Sequence, residues 1–223
     1  MCGVVGVKLD NPSVEDIEKV KRVLLETEIR GKHASGVSWF DGTNVKTIKK
    51  PIPISKLLKE LDFSDFIFDD KIRMIGHIRY STSDLEFNQP LGDEDFSIVH
   101  NGVITQTSSE KWKDIYGYTC MTKNDSELLY HCLKNKQNYL EKFNGCSASY
   151  ITLDKYGQIK YGRNSLRPQW LGRLDNGIII SSTKNILIRS GLKDIQMVEP
   201  DDNKDLIQRN MCESYKRIQN IFH

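Results

Sequence analysis

The chain opens Met1-Cys2-Gly3-Val4-Val5-Gly6. Met1 precedes a small residue, so removal of the initiator methionine would leave Cys2 as the mature N-terminus, with a thiol and a free α-amine on one carbon. A thiolate is a strong nucleophile, and an α-amine with a reference pKa of about 7.7–8.0 can serve as its base. Read without its neighbours, Cys2 is a small apolar residue starting a strand. Three further motifs widen the choice. In Gly76-His77-Ile78-Arg79-Tyr80-Ser81-Thr82, an arginine followed by hydroxyls can grip a carboxylate with its planar fork, or form a structural ion pair. In His100-Asn101-Gly102, an amide and a glycine N–H can converge on an oxyanion, or make a tight hairpin turn. In Thr122-Lys123-Asn124-Asp125-Ser126-Glu127, the aspartate can cap a helix, or bind an ammonium. Taken together, Arg79 and Asp125 suit the two ends of an α-amino acid. Asn101 and Gly102 would then face its side-chain carbonyl near Cys2.

These groups need a scaffold, and the patterning supplies one. Residues 2–9 read as a short buried strand. Ser13 with Asp16 three residues on reads as a capped helix start, and the apolar positions Val14, Ile17, Val20, Val23 and Leu24 carry that helix towards Gly31. Strands are expected at 36–40 and 45–48 around an Asp41-Gly42 turn, at 73–79, and at 96–100 ending at Asn101-Gly102, with Val103 and Ile104 continuing beyond it. A second short helix is expected at 55–61, and another from Asp125 to Leu133. Strands at 147–153, 159–163, 169–174 and 177–182 follow, then a helix from Lys184 to Ser190. Residues 1–200 read as one domain, with 201–223 as a charged, partly helical tail. Many short strands with helices before, between and after them favour sheet packed on sheet with helices outside.

Composition excludes several classes. The chain has 223 residues, 38% hydrophobic, and a net charge of +2 from 32 basic and 30 acidic residues. This balance offers no electrostatic footprint for nucleic acid or an anionic membrane. No run approaches the length of a membrane span and no leader is evident, so a cytoplasmic location is expected. The five cysteines (2, 120, 132, 146 and 212) form no C-x-x-C pair, which points to free thiols. The five histidines show no H-x-x-x-H or H-E-x-x-H spacing, so neither a metal nor a cofactor is expected, and His77 and His100 read as packed or hydrogen-bonded.

The motifs and their order resemble the class II glutamine amidotransferase domain, an N-terminal-nucleophile hydrolase fold. Cys2-Gly3-Val4-Val5-Gly6 resembles the family's start, and Arg30-Gly31-Lys32-His33-Ala34-Ser35-Gly36 its R-G-x-[DE]-[SA]-[SA]-G segment. Asn88-Gln89-Pro90, Ser165-Leu166-Arg167-Pro168 and Ile179-Ile180-Ser181-Ser182 resemble later segments. The likeness runs from Cys2 to about Leu192 and is strongest to the glutaminase domains of amidophosphoribosyltransferase and glucosamine-6-phosphate synthase. It implies an α+β fold, a four-layer α-β-β-α sandwich. It implies that Cys2 attacks the side-chain amide of L-glutamine, giving glutamate and ammonia by way of a thioester. Arg79 and Thr82 would hold the substrate carboxylate, Asp125 its α-ammonium, and Asn101 with Gly102 the oxyanion. Arg30 would order a loop behind these groups, and His77 stands behind them in its strand.

The chain departs from the family in His33, where an acid is usual, in Tyr80, and in a short acidic loop from Ser83 to Asp95. With no length left for a synthase or transferase domain, and no phosphate-binding G-x-x-x-x-G-K-[ST] loop, the ammonia acceptor is expected on a separate partner subunit. Two alternatives remain open: a non-catalytic glutamine-binding or regulatory module, and an amidohydrolase acting on another amide.

Overall fold

The computed structural model describes residues 2–80 and 88–201. In chain order the strands are β1 (Gly3–Asp10), β2 (Ala34–Phe40), β3 (Val45–Lys50), β4 (Ile67–Phe68), β5 (Lys71–Arg79), β6 (Leu91–Gly92), β7 (Phe96–Val103), β8 (Ser147–Asp154), β9 (Ile159–Arg163), β10 (Trp170–Leu174), β11 (Gly177–Ser181) and β12 (Asp194–Met197). The helices are α1 (Val14–Thr27), α2 (Ile54–Leu57), α3 (Trp112–Tyr116), α4 (Ser126–Lys134), α5 (Tyr139–Lys142) and α6 (Lys184–Arg189).

The strands form two antiparallel sheets. The larger runs β12-β10-β11-β1-β5-β2-β3, with β4 on the edge of β5, and the smaller runs β6-β7-β8-β9. Three apolar cores separate four layers. Val5, Val7 and Leu9 of β1 face Val20, Val23 and Leu24 of α1, together with α2 and α6. Val4 of β1 turns to the opposite face, where it meets Ile75, Ile180, Val99, Ile151 and Leu153 between the sheets. Ile98 and Ala148 of the smaller sheet pack against Leu128, Leu129 and Trp112 of the outer helices. Strand alternation explains the split, since successive side chains point to opposite faces and β1 is covered on both. Truncating Ile151 to alanine, between the sheets, is expected to cost about 2–5 kcal/mol. The α-β-β-α sandwich is the architecture expected from the resemblance.

The Ser13 cap forms with its reciprocal Asp16 bond, and α1 passes into a single 3-10 turn, Glu28–Arg30, before Gly31. Two elements differ from expectation. The helix expected at 55–61 is confined to Ile54–Leu57. After its buried positions Ile54 and Leu57 the chain winds down through i→i+3 bonds, Lys59 N–H to Lys56 O and Glu60 N–H to Leu57 O. The strand expected to end at Asn101-Gly102 runs straight through both residues to Val103, pairing Asn101 with Ser149 and Gly102 with Ala148. The tail expected at 201–223 lies outside the described residues, apart from Asp201. Among the described residues, no helix is long and apolar enough to cross a membrane.

Candidate active site

The start of β1, the end of β5, the end of β7 and the start of α4 meet around a cavity of about 530 Å³. Antiparallel pairing sets this up: Gly3 lies opposite Ile78 and Val4 opposite His77, which brings Cys2 to the Arg79 end of β5. Cys2, His77 and Arg79 from the larger sheet line the cavity together with Gly102, Asp125 and Ser126 from the other half. Of the residues singled out in the sequence, five therefore share one wall: Cys2, His77, Arg79, Gly102 and Asp125.

Cys2 is half-buried and its thiol is free. Arg30 stands behind it, its Nε donating to the Cys2 carbonyl at 3.4 Å. Burial lowers the Arg30 pKa, an effect that Cys2 opposes. Val4 N–H donates to Ser182 Oγ at 2.8 Å and Ser182 N–H returns a bond to the Val4 carbonyl, so the strand that follows Cys2 is tied down on its β11 side. Gly31 explains the glycine of the Arg30-Gly31 pair. A Cβ there would sit 2.3 Å from the Arg79 carbonyl carbon and the Tyr80 nitrogen. Only glycine lets this turn lie against the backbone that carries Arg79.

Arg79 Nη1 donates to Asn88 Oδ1 at 2.8 Å. The Asn88 and Pro90 carbonyls each accept from Lys49 Nζ at 3.0 Å, and burial lowers the Lys49 pKa. His77 is 1% exposed, and neither ring nitrogen has a hydrogen-bond partner among the described residues. Burial, with Arg79 adding to it, pulls its pKa to about 3, so the ring is neutral. Thr82, expected to assist Arg79, lies outside the described residues, as does the Ser83–Phe87 part of the acidic loop.

Gly102 is fixed in place sterically. At φ +159° a Cβ would lie 1.8 Å from the Ser147 carbonyl oxygen and 2.7 Å from His100 Nε2. Asn101 beside it is 4% exposed and does not form part of the cavity wall. The strand end is held by a polar network that sequence reasoning did not find. Gln89 Oε1 accepts from His100 N–H at 2.6 Å, while Gln89 Nε2 donates to the His100 carbonyl and to Ser126 Oγ. His100 Nε2 lies 3.3 Å from the Ser147 carbonyl and Nδ1 lies 2.8 Å from Ser126 Oγ. A carbonyl only accepts, so His100 carries its proton on Nε2 and accepts the Ser126 hydroxyl proton at Nδ1. Burial lowers the His100 pKa, which keeps this neutral tautomer.

Asp125 precedes α4 but makes no side-chain cap bond. Its Oδ2 instead accepts from Ile104 N–H at 2.6 Å and Thr105 N–H at 3.3 Å. The carboxylate thus ties the start of α4 to the chain just beyond Gly102, and the group still faces the cavity. The remaining wall comes from the coil and short helix between Thr105 and Trp112 and from Lys123 and Asn124. The coil has no periodicity to flag it, and only the fold brings it to the site.

No protein-family model matches the chain. Glutamine–fructose-6-phosphate aminotransferase (isomerizing) of Staphylococcus aureus strain N315 is 29% identical over 144 residues, covering 62% of this chain and 23% of that protein. The enzyme of the same name from Helicobacter pylori strain J99 is 25% identical over 241 residues, covering 99% of this chain and 38% of that protein. The chain thus spans well under half the length of these curated relatives. Among solved structures, the glutamine phosphoribosylpyrophosphate amidotransferase of B. subtilis, complexed with ADP and GMP, superposes with a TM-score of 0.69 at 22% identity over 89% of this chain and 46% of that one. A structure described as the allosteric regulatory enzyme of purine biosynthesis gives a TM-score of 0.68 at 20% identity, with 89% of this chain covered. The chain is thus similar in sequence to glutamine–fructose-6-phosphate aminotransferases and shares the fold of a glutamine phosphoribosylpyrophosphate amidotransferase. Its named sequence relatives are aminotransferases that start from glutamine and fructose 6-phosphate.

Proposed function

We propose that this chain hydrolyses the side-chain amide of L-glutamine to glutamate and ammonia. The observation that carries the reading is the convergence of Cys2, Arg79, Gly102 and Asp125 on one cavity of about 530 Å³, within the ordinary range of small-molecule sites. In this reading the Cys2 sulfur attacks the amide carbonyl, and its proton passes by way of the α-amine freed by Met1 removal to the departing nitrogen. Ammonia leaves, and water attacks the resulting thioester to release glutamate and restore the thiol. Gly102 N–H and the Asn101 amide stabilise the tetrahedral oxyanion, Asn101 after its side chain turns towards the cavity. Arg79, with Thr82, holds the α-carboxylate, and Asp125 holds the α-ammonium through acceptor capacity left over from its two backbone bonds. Arg30 acts through Cys2 by holding its carbonyl.

The ammonia goes to a synthase or transferase partner. Support for this comes from the relatives, which bear transferase names and extend far beyond the matched part. A cytoplasmic setting suits Cys2, Cys120, Cys132 and Cys146, which form no disulfide with one another.

The test is intact mass with and without 6-diazo-5-oxo-norleucine, beside a glutamine-to-glutamate assay. Loss of Met1, one adduct on Cys2 and glutamate production are expected. A processed chain that takes no adduct and makes no glutamate, with or without candidate partners, would overturn the proposal in favour of a glutamine-binding module.

A further inference from the structure

Outside the cavity, a thiol, a carboxylate and an imidazole converge. Cys120 Sγ, a Glu127 carboxylate oxygen and a His131 ring nitrogen all lie within 4.8 Å of one another. Glu127 and His131 are one turn apart on α4, so both project from one face. Cys120 comes from the coil that leads into that helix. Linear motif reading misses the set, because the only regular spacing in it is an E-x-x-x-H pair.

One donor separation is near that of a tetrahedral site. His131 Nε2 lies 3.8 Å from Glu127 Oε1. Zinc bonds of about 2.0–2.3 Å at tetrahedral angles place neighbouring donors about 3.3–3.6 Å apart. The separation is too long for a hydrogen bond and near the edge length of such a site. A second observation points the same way. Among the described residues His131 Nε2 is buried with no hydrogen-bond partner, a state that costs free energy unless a partner is supplied. Glu127 is 7% exposed. Its Oε2 is taken by Thr122 N–H and Oγ1, while among the described residues Oε1 accepts only Met121 N–H, at 2.7 Å. The His131 ring is held in plane by stacking on Tyr118, centroids 5.4 Å apart.

We propose that Cys120, Glu127 and His131 form a zinc-class metal site, with water as the fourth ligand. The mixed thiolate, imidazole and carboxylate donor set suits a borderline-soft divalent cation. The site would brace the coil from Tyr118 to Asn124 against α4. That coil runs directly into Lys123, Asn124 and Asp125 of the cavity wall, so the metal would steady the wall without facing the substrate.

The probe is cobalt(II) added to the full chain, stripped of metal, reduced and carrying Cys2→Ala and Cys212→Ala so that neither of these thiols competes. One equivalent per chain is expected to give a near-ultraviolet thiolate-to-cobalt band with tetrahedral visible bands, both displaced by zinc. Cys120→Ser should abolish the near-ultraviolet band. His131→Gln should weaken zinc binding at least about tenfold in a chromophoric chelator competition. Glu127 is left intact, because it also satisfies the Met121 and Thr122 amides. Thermal melts of the metal-free variants check that they fold as the parent does. Should Cys120→Ser not fold, the parent titration and His131→Gln decide alone. No band in the parent, a band that persists in Cys120→Ser, or unchanged zinc affinity in His131→Gln would each overturn the assignment.

Discussion

Asp125 separates a structural role from a substrate-binding one, because its carboxylate is asked to do both. Its Oδ2 accepts two backbone amides, from Ile104 at 2.6 Å and Thr105 at 3.3 Å, and Ile104 is 3% exposed. Asp125→Ala leaves both amides without their acceptor. At about 1–3 kcal/mol per unsatisfied buried group, discounted for half-buried Thr105, the loss is about 2–4 kcal/mol. For a chain of this size that is a melting-temperature drop of about 4–16 °C. Asp125→Asn keeps an oxygen for those amides and removes only the charge, so it should melt within a few degrees of the parent. If the carboxylate also holds the glutamine ammonium, Asp125→Asn loses a charge-assisted bond of about 1.5–3 kcal/mol, raising KM for glutamine about 10- to 150-fold. The contact exists before and during reaction, so kcat should change little. The assay is initial-rate glutamate release across glutamine concentrations, beside a thermal melt of each variant. An Asp125→Asn enzyme with parental KM and parental stability would refute the dual role and leave the residue a tie between α4 and β7.

Other outcomes follow from the same geometry. Cys2→Ala should abolish glutamate release while glutamine binding by calorimetry stays within a few fold, and appreciable turnover by the correctly processed variant would sink the mechanism. Gly102→Ala must push the Ser147 carbonyl away from a Cβ only 1.8 Å distant; a stability loss of about 1–3 kcal/mol and a kcat loss of about 10²–10³ are expected, and near-normal kinetics would show that Gly102 takes no part in oxyanion binding. Stability should fall on the acid side of about pH 6.5. His77, lowered to about 3, and His100, also lowered, are neutral when folded but protonate near their ordinary value when unfolded. The unfolded state then binds more protons as pH falls from about 6.5 towards 3, and stability drops by up to about 1.4 kcal/mol per pH unit for each histidine. Urea titrations at several pH values should show His77→Leu losing about one histidine's share of that slope, and an unchanged slope would count against the buried neutral ring.

Legibility from sequence varied with the kind of signal. Elements that rest on alternation or on a local cap could be read: β1, the Ser13-capped α1, the strand carrying Arg79 and the final strands lie within a few residues of expectation. Readings that rest on intrinsic turn or helix preference failed where tertiary pairing won. Asn101-Gly102 has a strong hairpin-turn signature, yet β8 offers partners to both residues and the strand continues. Asp125 has the composition of a cap, yet two amides beyond β7 claim its carboxylate. The site was legible as far as Cys2, Arg79, Gly102 and Asp125, and Arg30 behind them. Gln89, His100 and Ser126, which lock the end of β7 to α4, could not be given roles, because their bonds join parts of the chain 11 to 37 residues apart. The wall between Thr105 and Trp112 carries no local signal at all.

The order of strands in the larger sheet has a temporal meaning. β1 lies between β5 and β11, so the first strand in the chain waits for one that comes about 170 residues later. At about 5–20 residues per second of synthesis, roughly 180 residues separate Cys2 from the end of β11, an interval of about 9–36 s. During that time β1 has at most one neighbour, and the bonds that Ser182 makes to Val4 cannot exist. The segment bearing Cys2 therefore stays open on one side until Ser182 has been synthesised. Trimming of Met1 has that interval in which to occur, and a ribosome-bound chain cannot seat Cys2 in its finished site before Ser182 has been added.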